Sequence, residues 1–158
     1  MQLSIVIPCY NEAETIDRLV SVLDKTVADL ATRGHPTEVI VVDDGSHDAS
    51  FTKLEQAARE RAWLRVIRFR RNYGQTAALA AGFRAATGQV LIPMDADLQD
   101  PPGIIRDLVE KWREVSFIGR AVFGTHALQG RFGLISDAPG EDIDAFHKAG
   151  SLKRIAVS

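Results

Sequence analysis

Two aspartates at a spacing of two, Asp95 and Asp97, stand directly after a short apolar run. In extended backbone, residues i and i+2 point the same way, so both carboxylates can aim at one point. Their mutual repulsion asks for a cation. Hard oxygen ligands without His or Cys favour Mg2+ or Mn2+, which keep positions open for water and phosphate oxygens. Asp-x-Asp alone is often a turn or a helix cap; its place after a strand favours the metal reading. Three other clusters carry chemical side chains. In Pro8-Cys9-Tyr10-Asn11-Glu12, Tyr10 offers an aromatic face for stacking, while Asn11 and Glu12 supply polar edges beside a helix start, where Glu12 could equally serve the helix dipole. In Asp43-Asp44-Gly45-Ser46, a carboxylate could accept hydrogen bonds from a ribose hydroxyl or a base N–H, against the plainer reading of a turn with Ser46 or Asp48 as helix cap. Arg68, Arg70, Arg71 and Asn72 could cradle phosphate, although arginines flanking a strand are commonly solvated or paired with acids.

These clusters need elements to place them. The runs Leu3 to Pro8, Val39 to Val42, Leu64 to Phe69 and Val90 to Met94 are mostly apolar and rich in Val and Ile rather than cleanly alternating, as strands covered on both faces are. Between the first two, Ile16, Leu19, Val20, Leu23, Val27 and Leu30 recur at helical spacing and predict an amphipathic helix over Glu12 to Thr32. A second helix starts near Asp48 and buries Phe51, Leu54, Ala57 and Ala58; a third runs from Gln75 to Thr87 and stops at Gly88. A fourth follows Pro101-Pro102 with Ile105, Leu108, Val109 and Trp112 on one face. Strands alternating with helices predict a parallel, right-handed α/β sheet whose ligands sit at the carboxyl ends of the strands. Each cluster above falls at such an end. After Val115, glycines interrupt every candidate element; a strand over Arg120 to Gly124 and a short helix around Glu141 to Ala149 are the remaining expectations.

The 158 residues suffice for one domain with a real core. A lone cysteine excludes a disulfide scaffold; Cys9 reads as a buried thiol in a reducing compartment. No run approaches the roughly 18 apolar residues of a membrane span, and the start lacks the pattern of a secretory signal. A net charge of −2 removes the whole-domain case for nucleic acid, although six arginines fall between Arg59 and Arg71. His35, His47, His126 and His147 show no ligand spacing, and Trp63 and Trp112 read as packing. Neither a P-loop nor a Gly-x-Gly-x-x-Gly after the first strand is present, which leaves phosphate to a metal.

Taken in order, Ile5-Val6-Ile7-Pro8-Cys9-Tyr10-Asn11-Glu12, Val41-Val42-Asp43-Asp44-Gly45-Ser46, Arg71-Asn72-Tyr73-Gly74-Gln75 and Met94-Asp95-Ala96-Asp97-Leu98-Gln99-Asp100-Pro101-Pro102 resemble the family 2 glycosyltransferases of GT-A fold. Within them the pattern is similar to the polyprenyl-phosphate sugar transferases of the dolichyl-phosphate mannose synthase kind. The resemblance implies a Rossmann-like, mostly parallel sheet flanked by helices. It implies a nucleotide-diphosphate sugar held by Pro8, Tyr10, Asn11, Glu12 and Asp44, with Arg71 and Asn72 alongside. Asp95 and Asp97 would be catalytic and, with Gln99, would hold Mg2+ or Mn2+. The implied reaction is inverting transfer of the sugar to a polyprenyl phosphate at the cytoplasmic face of the membrane, with membrane association peripheral or through segments absent here, and an oligomer left open. Residues 1–115 would form the nucleotide-sugar-binding half and residues 116–158 a divergent or truncated tail. The rival reading is a nucleotide-binding module that keeps the donor pocket without turnover.

Overall fold

The computed structural model describes residues 1–96, 105 and 107–110. Four parallel strands, Leu3–Cys9 (β1), Thr37–Asp43 (β2), Leu64–Arg68 (β3) and Val90–Pro93 (β4), form one sheet in the order β3-β2-β1-β4. Three helices, Ile16–Thr32 (α1), Ser50–Glu60 (α2) and Gln75–Ala85 (α3), connect them. Ile105 and residues 107–110 are helical as well. The expected Trp112, the strand over Arg120 to Gly124, the helix around Glu141 to Ala149, His126, His147 and the tail 116–158 lie outside the described residues.

Both faces of β1, β2 and β4 are covered, which is why these strands read as largely apolar runs, whereas β3 carries Arg65 and Arg68 and is partly exposed. Ile5, Ile7, Val39, Val41, Leu64 and Ile92 face α1 and α2, together with Ile105, Leu108 and Val109. The alternate residues Val6, Leu91, Ile40 and Val42 face α3 through Phe83 and Ala78. All six apolar positions that marked α1 are buried, and full burial of such a side chain contributes about 1.5–3 kcal/mol. On α3 the contact is made by small residues. A Cβ on Gly82 would overlap Val6 Cγ1, so the missing side chain sets how closely this helix approaches the sheet.

The connections explain where a ligand can enter. From β1 through β3 the chain steps one way across the sheet; α3 then carries it back over β2 and β1 to β4. Right-handed crossovers place α3 on the opposite face when the direction reverses. The loop after β3 therefore leaves toward α3 on one face while those after β1 and β2 leave toward α1 and α2 on the other, and a crevice opens among them at the carboxyl ends of the strands.

Three helix boundaries differ from the sequence expectation, each beside polar contacts. Helix α1 begins at Ile16 rather than Glu12, and the preceding segment is tied to the second loop, where the N–H groups of Glu12 and Ala13 donate to Ser50 Oγ (2.8 Å) and Asp48 Oδ2 (3.1 Å). Helix α2 begins at Ser50 rather than Asp48, whose Oδ1 accepts the Ser50 N–H at 2.9 Å. Helix α3 stops at Ala85 because the Thr87 N–H donates to Glu38 Oε1 at 2.6 Å. Glu38 Oε1 also accepts the hydroxyls of Ser4 (2.7 Å) and Thr87 (2.8 Å), and its Oε2 accepts from Arg65 at 3.2 Å. Burial pushes the Glu38 carboxyl up, but these hydrogen bonds together outweigh it and hold the group below its ordinary value of 4.5. The cluster closes the amino end of the sheet.

Candidate functional site

At the carboxyl end the loops are stitched to one another by their own polar groups. Asn11 takes the left-handed backbone (φ 53°), a conformation Asn tolerates better than most residues. Its N–H donates to Ser46 Oγ and its Oδ1 accepts the His47 N–H, both at 2.9 Å. The first loop is thereby fixed on the second. Asp44 then fixes the third: its Oδ1 accepts the Tyr73 N–H at 2.7 Å and its Oδ2 the Gly74 N–H at 2.9 Å. Asp44 is only 3% exposed. Gly45 makes this crossing feasible, since φ is +73° and a Cβ there would lie 2.6 Å from Arg71 Cα and 2.7 Å from Asn72 N.

Asp43 is wholly buried beneath this junction. Its Oδ1 accepts the Ser46 N–H at 3.3 Å, while Oδ2 lies 3.5 Å from Arg68 Nε without an aligned hydrogen bond. The ion pair thus compensates the buried charge electrostatically rather than through a well-formed donor. Arg68 also lies 4.2 Å above the Phe51 ring, so it is engaged by its neighbours. Arg71 rests 4.9 Å over the Tyr73 ring, whose edge meets Phe69 at 5.5 Å.

The fourth loop brings Asp95 to the crevice. Gln75, the first residue of α3, donates from Nε2 to Asp95 Oδ1 at 3.2 Å. Between these loops lies a cleft of roughly 350 Å³, within the range of small-molecule sites. Of the residues expected from sequence, Pro8, Tyr10, Glu12, Asp44, Asn72 and Asp95 line it. Asn11 and Arg71 do not; the first joins loops, and the second stacks on Tyr73. Asp97 and Gln99 lie outside the described residues. Cys9, Gly74, Gln75 and Ala96 complete the lining. In sequence Gln75 is a helix start and the last residue of the motif Arg71-Asn72-Tyr73-Gly74-Gln75, and nothing local signals that it reaches Asp95.

Tyr10 is 41% exposed at the rim, with its ring at 6.5 Å and nearly perpendicular to His47. Its face is open for stacking. Glu12 Oε2 accepts the Thr15 hydroxyl at 2.9 Å, and Glu12 lies ahead of the first turn of α1, which begins at Ile16. Burial, and then the charges of Asp43, Glu12 and Asp48, push the Cys9 thiol up to about 12. It is no nucleophile at neutral pH. For a metal, Asp95 supplies a hard carboxylate to the cleft, which suits Mg2+ or Mn2+; among the described residues no three His, Cys, Asp or Glu side chains gather at one point.

The family profile described as glycosyl transferase family 2 matches residues 4–126. The chain belongs to glycosyl transferase family 2. Among curated relatives of this family 2 chain, it is 45% identical over 108 residues to an undecaprenyl-phosphate 4-deoxy-4-formamido-L-arabinose transferase of Pectobacterium atrosepticum, covering 68% of this chain and 32% of that protein. It is 40% identical over 114 residues to the uncharacterized glycosyltransferase sll0501 of Synechocystis, covering 72% of this chain and 35% of that one. This family 2 chain therefore spans about a third of the length of the curated relatives it matches. Among solved structures, the mannosyltransferase PcManGT from Pyrobaculum calidifontis in complex with GDP-Man and Mn2+ aligns with a TM-score of 0.59 at 24% identity, over 68% of this chain and 31% of that one. S. aureus TarS in complex with UDP aligns with a TM-score of 0.59 at 22% identity, over 86% of this chain and 42% of that one. These likenesses are of fold, and they agree with the GT-A class expected from sequence.

Proposed function

We propose that this family 2 chain carries the donor-binding half of a transferase that moves a sugar, with inversion, from a nucleotide-diphosphate sugar to a polyprenyl phosphate. The observation that carries the reading is the convergence of the loops after β1, β2, β3 and β4 on one cleft at the point where the sheet changes direction. Tyr10 stacks on the base; Asp44 and Glu12 accept hydrogen bonds from base or ribose; Asn72 lies alongside the phosphates. Asp44 can serve two masters, because each carboxylate oxygen has a second lone pair beside the one taken by loop 3. Asp95, with Asp97 and Gln99, would hold Mg2+ or Mn2+, which supplies neutralisation of the charge that develops on the departing diphosphate. A phosphate monoester, with a second pKa near 6, is largely ionised at pH 7, so an acceptor of that class attacks without a strong general base. The undecaprenyl-phosphate transferases among the relatives support this acceptor class. We propose the cytoplasmic face of the membrane as the site of the reaction. Among the described residues no helix is long and apolar enough to cross a membrane.

Thermal unfolding with UDP, GDP and their sugar derivatives, with and without Mn2+, tests donor binding. A ligand that binds the folded state raises the midpoint with the logarithm of its concentration over Kd. Incubating the binding donor with undecaprenyl phosphate and with sugar and protein hydroxyl acceptors tests transfer. Product on the lipid phosphate is expected. No nucleotide response overturns the reading; product on hydroxyls alone overturns the acceptor class; a nucleotide response without any product favours a donor-binding module.

A further inference from the structure

We infer that Gln75 is a positioning residue for Asp95, a latch from α3 across the cleft to β4, which rests on the donor-binding reading above. Asp95 needs such support. Among the described residues, strand β4 pairs with β1 over four residues and ends that pairing at Pro93 opposite Val6. The last backbone bond before the loop is Met94 N–H to Val6 O at 2.9 Å. Asp95 follows that point, and the Gln75 amide is one of the contacts that orient its carboxylate.

Gln75 is placed to supply that contact. It is the first residue of α3, and the backbone immediately before it is pinned by Asp44 through the N–H groups of Tyr73 and Gly74. The helix behind it is seated closely on the sheet at Gly82. The donor in the contact must be the amide nitrogen, because an ionised carboxylate only accepts. By occupying one lone pair of Oδ1 at 3.2 Å, Nε2 restricts rotation of the carboxylate plane. Asp44 therefore influences Asp95 by way of loop 3 and Gln75, from the second strand to the fourth.

Binding of UDP and GDP to the full chain, measured by calorimetry with and without Mn2+, separates this role from a merely structural one. Gln75→Met keeps the length of the side chain and removes the donor; Gln75→Ala removes both. The latch predicts an unchanged melting midpoint for Gln75→Met and a Mn2+-dependent gain in nucleotide affinity reduced about fivefold, the effect of losing one hydrogen bond of ordinary net strength, which exceeds any change that this cleft-lining position makes to metal-free affinity. Gln75→Ala should show the same loss of gain. Gln75→Met with the wild-type gain overturns the latch and leaves the donor reading standing. Equal losses with and without Mn2+ also overturn it, since they mark a general disturbance of the cleft. A wild-type chain that binds nucleotide with no gain from Mn2+ overturns both the latch and the metal reading.

Discussion

Replacing Asp44 with Ala should cost far more stability than removing an ordinary loop carboxylate. The side chain is 3% exposed and accepts two backbone N–H groups, from Tyr73 at 2.7 Å and Gly74 at 2.9 Å. A hydrogen bond to a charged group contributes about 1.5–3 kcal/mol, and a donor stranded without an acceptor costs about 1–3 kcal/mol. Water can reach part of loop 3 and satisfy the stranded donors, so the low end of the first range applies, and two bonds at about 1.5 kcal/mol each give a loss for Asp44→Ala of roughly 3 kcal/mol. Asp44→Asn keeps one carbonyl oxygen and turns an amide N–H2 toward the other donor, which gives a loss of roughly 2–3 kcal/mol by the same reasoning. Urea denaturation gives both values, with the slope unchanged if the unfolded state is unaffected. Hydrogen exchange at the Tyr73 and Gly74 amides locates the damage. A loss under about 1 kcal/mol for Asp44→Ala, with both amides as protected as in the wild type, would refute the assignment of Asp44 as the anchor of loop 3.

Other expectations follow from the same contacts. Tyr10→Ala should weaken nucleotide binding about tenfold in calorimetry while leaving the melting midpoint unchanged, since base stacking on an aromatic side chain is worth about 1–3 kcal/mol and the ring is exposed. Gly82→Ala should destabilise by about 1–3 kcal/mol in denaturant, because its Cβ overlaps Val6 in a packed layer. Glu38 has its carboxyl held low in the folded state, so its contribution is present above the ordinary carboxylate pKa of 4.5 and is lost as pH falls below it. The stability gap between wild type and Glu38→Gln should accordingly be full at pH 7 and shrink on acidification; a gap independent of pH would contradict it. Cys9, with its thiol pushed up to about 12 from an ordinary 9.0, should resist thiol reagents in the native chain at pH 8 and react on unfolding. Its raised pKa contributes stability that is full below pH 9 and is lost as pH rises toward 12.

Elements and their order were legible because they depend on short-range pattern. Val and Ile runs gave four parallel strands, and the spacing from Ile16 to Leu30 gave α1 with its buried face. The ends of helices were less legible. Glu12 and Asp48 look like first-turn residues, but their groups are engaged by partners more than thirty positions away, which no window of sequence contains. The same holds at the site. Pro8, Tyr10, Glu12, Asp44, Asn72 and Asp95 could be assembled because each follows a strand and strand ends converge. That Asn11 turns to the second loop depends on how the loops after β1 and β2 meet, and that Gln75 reaches Asp95 depends on how α3 sits over the sheet, while Arg71 stacks on Tyr73 two residues away.

The two edges of the sheet are dressed for opposite purposes. At the amino edge, Ser4, Glu38, Arg65, Thr87 and Gly88 satisfy one another, leaving little polar demand for a visitor to answer. At the carboxyl edge the loops spend their donors and acceptors on each other while Tyr10 and Asp95 still face the opening. Robustness and recognition are thereby assigned to separate ends of the same strands. A chain selected for heat resistance could accumulate changes around Glu38 while its affinity for small molecules stays constant.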